Sequence, residues 1–167
     1  NTNSIGLNYR QDVSPKLTMY GDYSYSHNTN KTLSDNISDY FNERLIEIRN
    51  SENGSIANSH RFNWNFEYKP NDKDYIKLSP TLNVRSTDGD GLQKSNNTLA
   101  GNLINRMETN NVSNSFIPNY GISGLYNHRL SQQGRNIFVD FSLNTASTEQ
   151  DEERIQETFL YDPAMDT

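Results

Sequence analysis

The sequence contains no cysteine, which excludes disulfides, thiolate metal sites, cysteine nucleophiles and cysteine-held iron–sulfur clusters together. Apolar residues are scarce: hydrophobic types make up 32% of the 167 residues, where an average soluble domain has roughly 45–50%. Such a chain is poorly supplied for a buried core. No stretch approaches the ~18 consecutive apolar residues of a spanning helix, so transmembrane helices are excluded. Spanning β-strands are not, because they need an apolar residue only at every second position. Basic residues are few as well. Fifteen Lys and Arg against 21 Asp and Glu give a net charge of −6, which argues against a nucleic-acid partner, whose phosphates call for a basic footprint. Residues Asn1 to Arg10 show no charged segment followed by an apolar one, so no secretory leader is expected there.

What the chain does have is aromatic residues: 10 Tyr, 7 Phe and 1 Trp, too many for a typical disordered segment. They fall on alternating positions. Between His60 and Pro70, Phe62, Trp64, Phe66 and Tyr68 interleave with Arg61, Asn63, Asn65, Glu67 and Lys69. Tyr75 to Arg85 continues with Ile76, Leu78, Pro80, Leu82 and Val84 on one face. Leu17, Met19, Gly21, Tyr23 and Tyr25 do the same, as do Ile137, Val139, Phe141 and Leu143. Ile5, Leu7 and Tyr9, and Ile122, Tyr126 and Leu130, are weaker versions. Period two means strand, and six strands are expected, over about 4–10, 16–26, 60–70, 75–85, 120–130 and 136–146. Pro80, which lacks a ladder donor, predicts a bulge or local bend.

Connections of two kinds take turns. Gln11 to Pro15, Pro70 to Asp74 and Ser131 to Arg135 are short and rich in turn formers, and each predicts a hairpin. Between hairpins lie polar stretches, His27 to Ser59 and Ser86 to Asn119, with a third from Ala146, which predict long loops. Within them Ile37, Phe41, Leu45 and Ile48 have helical spacing. Leu99, Leu103 and Met107, and Ile155 with Phe159, hint at two further helical turns. A ring followed by a base precedes each short turn (Tyr9-Arg10, Tyr68-Lys69, His128-Arg129), a repeat of about sixty residues.

The expected fold class is therefore all-β, with antiparallel up-and-down hairpins, short turns at one rim and long loops at the other. Strand lengths near 9–11 residues and strict loop alternation point to part of a larger transmembrane β-barrel. Leu17, Met19, Phe62, Trp64, Phe66, Ile76, Leu78, Leu82, Val84, Ile137, Val139 and Phe141 are then expected to face lipid. Tyr9, Tyr23, Tyr25, Tyr68 and Tyr126 are expected in aromatic girdles. Arg61, Glu67, Lys77, Arg85 and Asp140 would face the lumen.

The run from His60 to Tyr68, its short turn and Ile76-Lys77-Leu78-Ser79-Pro80-Thr81-Leu82 resembles a hairpin of the outer-membrane β-barrel domain of TonB-dependent-receptor-like proteins. Ser4 to Tyr9, and Tyr126 to Leu130 with Gly134 to Ile137, are similar to neighbouring hairpins of that family. The resemblance covers the strands and not the connections. It implies a segment of a receptor and transporter in the cell outer membrane, with a plug inside the parent barrel and energy relayed through TonB. Its implied partners are outer-membrane lipid, the rest of the barrel and an extracellular ligand. Six strands cannot close a barrel of that family, so the chain is expected to be a piece of the wall. The alternative is a soluble all-β carbohydrate-binding or adhesion module, with Tyr23, Tyr25 and Trp64 as stacking platforms.

No catalytic, cofactor or metal residues are expected. His27, His60 and His128 are scattered without a second ligand at metal spacing. Asp88-Gly89-Asp90-Gly91 starts like a calcium loop but has Leu99 at its twelfth position. No strained Gly-x-Ser-x-Gly turn is present for a serine nucleophile.

Overall fold

The computed structural model describes residues 1–131 and 134–161. It is all-β: β1 (Thr2–Ser14), β2 (Leu17–Tyr40), β3 (Leu45–Tyr68), β4 (Asp74–Leu99), β5 (Asn102–Arg129), β6 (Asn136–Ala146) and β7 (Glu149–Leu160). All pairings are antiparallel and follow chain order, β1-β2-β3-β4-β5-β6, and β7 also pairs with β5. β6 covers Asn119–Arg129 of β5 and β7 covers Asn105–Phe116 in the same register. The two are one edge strand interrupted at Ser147–Thr148, and Ser147 N still donates to Pro118 O at 3.2 Å. The expected class holds; 136–146 coincides with β6, and the other expected strands fall, to within two residues at the short-turn end, in longer observed ones.

The long connections differ from expectation. His27 to Ser59 and Ser86 to Asn119 are continuations of β2–β3 and β4–β5, and the stretch from Ala146 contains β7. Only Phe41–Arg44 and Ala100–Gly101 turn the chain at that end. Ala100 and Gly101 both have positive φ, 51° and 90°, the pattern of a two-residue turn whose twist suits flanking strands. The helical spacing of Ile37, Phe41, Leu45 and Ile48 has another cause. Ile37 pairs with Ile48 across the hairpin, and Phe41 and Leu45 flank its turn. Leu99, Leu103 and Met107 likewise straddle the β4–β5 turn, and Ile155 and Phe159 lie in β7.

Of the bulge or local bend expected at Pro80, the bulge is absent. Asn63 pairs with Thr81 and Phe66 with Leu78, so the register is the same on both sides and only the Trp64 and Asn65 pairs drop out. A missing N–H removes a bond without adding a residue, and a bulge requires the extra residue. The one slip near the short turns is at Asp12/Ser14 in β1. The turns there are tied by side chains: Ser14 Oγ accepts from Leu17 N at 3.1 Å, and Asn71 Oδ1 accepts from Lys73 N at 2.8 Å and Asp74 N at 3.0 Å. Gln132 and Gln133 of the third expected turn lie outside the described residues, but Leu130 N donates to Arg135 O at 3.0 Å around it.

The sheet is a single layer. Each strand contacts only its ladder neighbours, and Ala57 and Pro118 are the only buried apolar side chains of the described residues. A compact protein of this mass would expose about 8,400 Å²; this one exposes 12,371 Å². Among the described residues there is no second layer for either face to pack against.

Candidate functional site

The unbroken register turns alternation along each strand into two faces shared by the whole sheet. One line across the ladder joins Leu17, Tyr68, Ile76, Tyr126 and Val139. The next joins Met19, Phe66, Leu78, Gly124 and Phe141. Beyond it come Tyr9, Gly21 and Trp64 with Ile122 and Leu143, then Leu7, Tyr23, Phe62, Leu82 and Tyr120, then Ile5, Tyr25, His60, Val84 and Pro118. Every residue expected to face lipid is on this face, and most lie within these five levels. From Leu17 to Tyr25 the band runs about 27 Å along the strand at ~3.3–3.4 Å per residue.

The band is open to its surroundings. Leu7 and Leu143 are each 65% exposed, and Phe62, Leu78, Val139 and Phe141 are exposed as well. Packing within it is lateral. Phe62, Trp64 and Phe66 stack along β3 with centroids 5.4 and 6.2 Å apart, and Tyr9 meets Trp64 at 5.7 Å. Gly21 makes that meeting possible, because a Cβ there would come within 2.9 Å of the indole. Gly124 serves Phe141 in the same way, since a Cβ would run into the ring. An aromatic lying over a cross-strand glycine restores the contact that the glycine lacks.

Polar groups mark both ends of the band. At the short-turn end Asp74 accepts from Tyr126 Oη at 2.7 Å and pairs with His128 Nδ1 at 2.7 Å, while Asn71 Nδ2 donates to its other oxygen at 2.7 Å. These bonds, the one from His128 first, hold the Asp74 carboxyl down to about 2. At the far end Tyr23 Oη bonds His60 Nδ1 at 2.8 Å, and Tyr25 Oη donates to Asn58 Oδ1 at 2.9 Å. Of the tyrosines expected in girdles, Tyr68 and Tyr126 lie at the turn end and Tyr23 and Tyr25 at the far end. Tyr9 lies deeper, level with Trp64.

The opposite face is mainly polar, with Ala57, Ile117, Leu125 and Phe138 as exceptions, and holds Arg61, Glu67, Lys77, Arg85 and Asp140, as expected from their parity. Near the short turns Tyr20 organises it: its hydroxyl donates to Glu67 Oε1 at 2.7 Å and accepts from Lys77 Nζ at 3.1 Å. Arg10 and Lys77 both sit over its ring, 5.5 and 5.6 Å from the centroid. Ser79 Oγ donates to Asn65 Oδ1 at 2.8 Å, and Asn63 Nδ2 to Asp22 Oδ2 at 3.0 Å.

Past the band both faces become mainly polar, the band face keeping scattered apolar residues such as Leu33, Ile37, Ile56 and Phe116, and ion pairs such as Lys31–Glu52 at 2.5 Å replace aromatic contacts. Among the described residues no group of three potential ligands is placed to hold a metal ion. Asp88 and Asp90 lie in a continuous strand whose register with β3 and β5 is regular, and a calcium loop cannot form on such a backbone. Ile5, Leu7, Tyr120, Ile122 and Leu143 complete the band without having been singled out as lipid-facing. Gly124 on the band face and Leu125 on the opposite face interrupt the alternation in β5, which is why its face was hard to read. No family model matches the chain, and no curated protein matches it.

Proposed function

We propose that this chain is a segment of the wall of an outer-membrane β-barrel of the TonB-dependent-receptor type, serving ligand uptake, with its apolar band against lipid and its polar face toward the lumen. One observation carries the reading: a broad aromatic and aliphatic band on one face of a single-layer sheet that nothing covers. Contiguous apolar patches of more than a few hundred Å² on soluble proteins are rare and mark interaction surfaces. Here the band crosses β1 to β6 and is as tall as the ~25 Å outward belt of such barrels.

Three further features support it. The outer edges, β1 on one side and β6–β7 on the other, present unpaired backbone groups, which other strands of a closed barrel satisfy. Tyr, His and Asn at both limits of the band suit the interface, where an amphipathic ring meets tails and headgroups. The band also slants. Its window in β1, Ile5 to Tyr9, lies about five residues higher than its window in β6, Ile137 to Leu143, after five strand steps. The shift is concentrated at the two edges, while β2 to β4 are level. At ~3.3 Å per residue and ~4.8 Å per strand the net slope is about 35°, within the tilt range of membrane barrels.

The test is fractionation of the full-length protein that contains this chain, with its gel migration before and after boiling. Outer-membrane recovery with heat-modifiable migration supports the proposal; a detergent-free soluble protein with one migration state overturns it and favours the soluble carbohydrate-binding or adhesion module.

A further inference from the structure

The polar face carries a feature that its neighbours do not explain. About 17–30 Å beyond the apolar band, at ~3.3 Å per residue, lies a depression of about 280 Å³ lined by Ser51, Asn53, Gly91, Gln93, Thr109 and Asn111, with Glu152 and Arg154 at one side. That volume is near the lower end of the roughly 300–1,000 Å³ of small-molecule sites. Gly91 makes its floor, since a Cβ there would come within 2.7 Å of Asn53 Oδ1. Thr109 at its base is 6% exposed, and its hydroxyl is buried with no hydrogen-bond partner. Such an orphan is costly unless a ligand group supplies its bond.

The chemistry of the lining narrows the ligand. Ser51, Asn53, Gln93, Thr109 and Asn111 each carry both a donor and an acceptor. Glu152 and Arg154 cancel in charge, and Arg154 makes no ion pair among the described residues. With its amide turned to suit its neighbours, Asn111 donates to Glu152 Oε1 and Glu153 O, both at 3.1 Å, which fixes the carboxylate at the edge. Leu92 also borders the depression, but its side chain is on the other face by parity, so no aliphatic or aromatic side chain of the described residues lines it. An apolar ligand gains nothing there, and neither does a polyanion. An extended peptide is poorly served too, because β3, β4 and β5 are interior strands with their main chain already paired, and strand addition needs a free edge.

We infer that this depression binds a neutral polyhydroxylated ligand, a stretch of oligosaccharide, whose hydroxyls both donate and accept as the lining side chains do. The inference deepens the uptake reading and rests on it for the claim that this face lines the ligand's path. The test is calorimetric titration of the full-length protein in detergent with maltohexaose, cellohexaose, xylohexaose and mannohexaose, and with a neutral hexapeptide as the competing class. At least one hexaose is expected to bind. Gly91→Gln, which fills the floor with a polar side chain, is expected to weaken it by about tenfold or more. Thr109→Val is expected to weaken it roughly two- to twelvefold, the effect of one hydrogen bond. Asp88→Asn, on the opposite face of the same strand, leaves it unchanged.

No binding by any hexaose, equal binding by Gly91→Gln, or binding of the hexapeptide with the same Gly91 sensitivity overturns the inference. Gel migration of the same preparations separates the two proposals. A heat-modifiable barrel indifferent to all four sugars sinks the ligand assignment alone. A soluble protein that binds a hexaose through Gly91 sinks the membrane reading and keeps the site.

Discussion

The half of the sheet next to the short turns and the half beyond it share one hydrogen-bond ladder but have different side-chain patterns. β2 and β3 pair without a slip from Leu17↔Tyr68 to Tyr40↔Leu45, so the backbone does not distinguish the halves. Side chains do. In the first half one face carries Phe62, Trp64 and Phe66 and the other Arg61, Asn63 and Asn65. In the second half polar residues dominate both faces, and the apolar ones on the band face, among them Leu33, Ile37, Ile48, Ile56, Val112 and Phe116, are scattered rather than continuous. Backbone pairing therefore sets the geometry, and the alternation of side chains records which surroundings each face meets. The two-faced half fits a boundary between lipid and a wet interior, and the two-sided polar half fits water on both sides.

The largest expected effect concerns the sheet as a whole. With a single layer and two buried apolar side chains among the described residues, the 167-residue chain alone in detergent-free buffer has too little burial to offset its ordering entropy. Urea titration followed by circular dichroism should show no cooperative transition, and a sharp one would mean that the sheet is self-sufficient. Within the two-faced half, Trp64→Arg places a charge in the middle of the band and should cost about 2–4 kcal/mol near a bilayer midplane. Asn65→Arg, one residue on, should cost well under 1 kcal/mol. Equal penalties in folding titrations of the full-length protein into bilayers would mean that the faces have been exchanged.

Packing gives the next effect. Gly21→Val pushes a branched side chain into the indole of Trp64 and should cost about 1–3 kcal/mol. In the polar half, Gly101→Ala meets no neighbour within 4 Å and suffers only from its φ of 90°, for about 1 kcal/mol. Thermal midpoints of the two variants should rank in that order. The smallest effect is at the rim. The Asp74 carboxyl titrates at about 2 when folded and 3.8 otherwise. A depressed carboxyl stabilises the folded form above the higher value, and that contribution is lost as pH falls from 3.8 to about 2. Asp74→Asn should remove this part of the acid dependence, measured as the melting shift between pH 5 and pH 2; an unchanged profile would mean that the rim network is not formed.

The same comparison explains what could be read from the residues alone. The two-faced half was legible because alternation of apolar and polar types is itself the strand signal. Trp64 and Pro80 fall on one face by parity without any knowledge of the ladder. In the far half the contrast is diluted: Leu33, Ile37, Ile48, Ile56, Val112 and Phe116 keep the band's parity but are spaced among Asn, Ser, Thr and charged residues, so the strands have the composition of loops. Ile37 and Ile48 are symmetric about the Phe41–Arg44 turn, and that symmetry imitates helical spacing. The depression around Gly91 was invisible for a related reason. Its residues come from four strands, and only the register of β3, β4, β5 and β7 brings Asn53, Gly91, Asn111 and Arg154 side by side.

The central claim is that alternate residues of β3 meet lipid and water. Spin labels placed one at a time at positions 62 to 66 of the full-length protein in bilayers measure this through collision with oxygen, which concentrates in lipid, and with a polar nickel complex, which stays in water. The account predicts a period of two, with 62, 64 and 66 accessible to oxygen and 63 and 65 to nickel. Nickel accessibility at all five positions would contradict it.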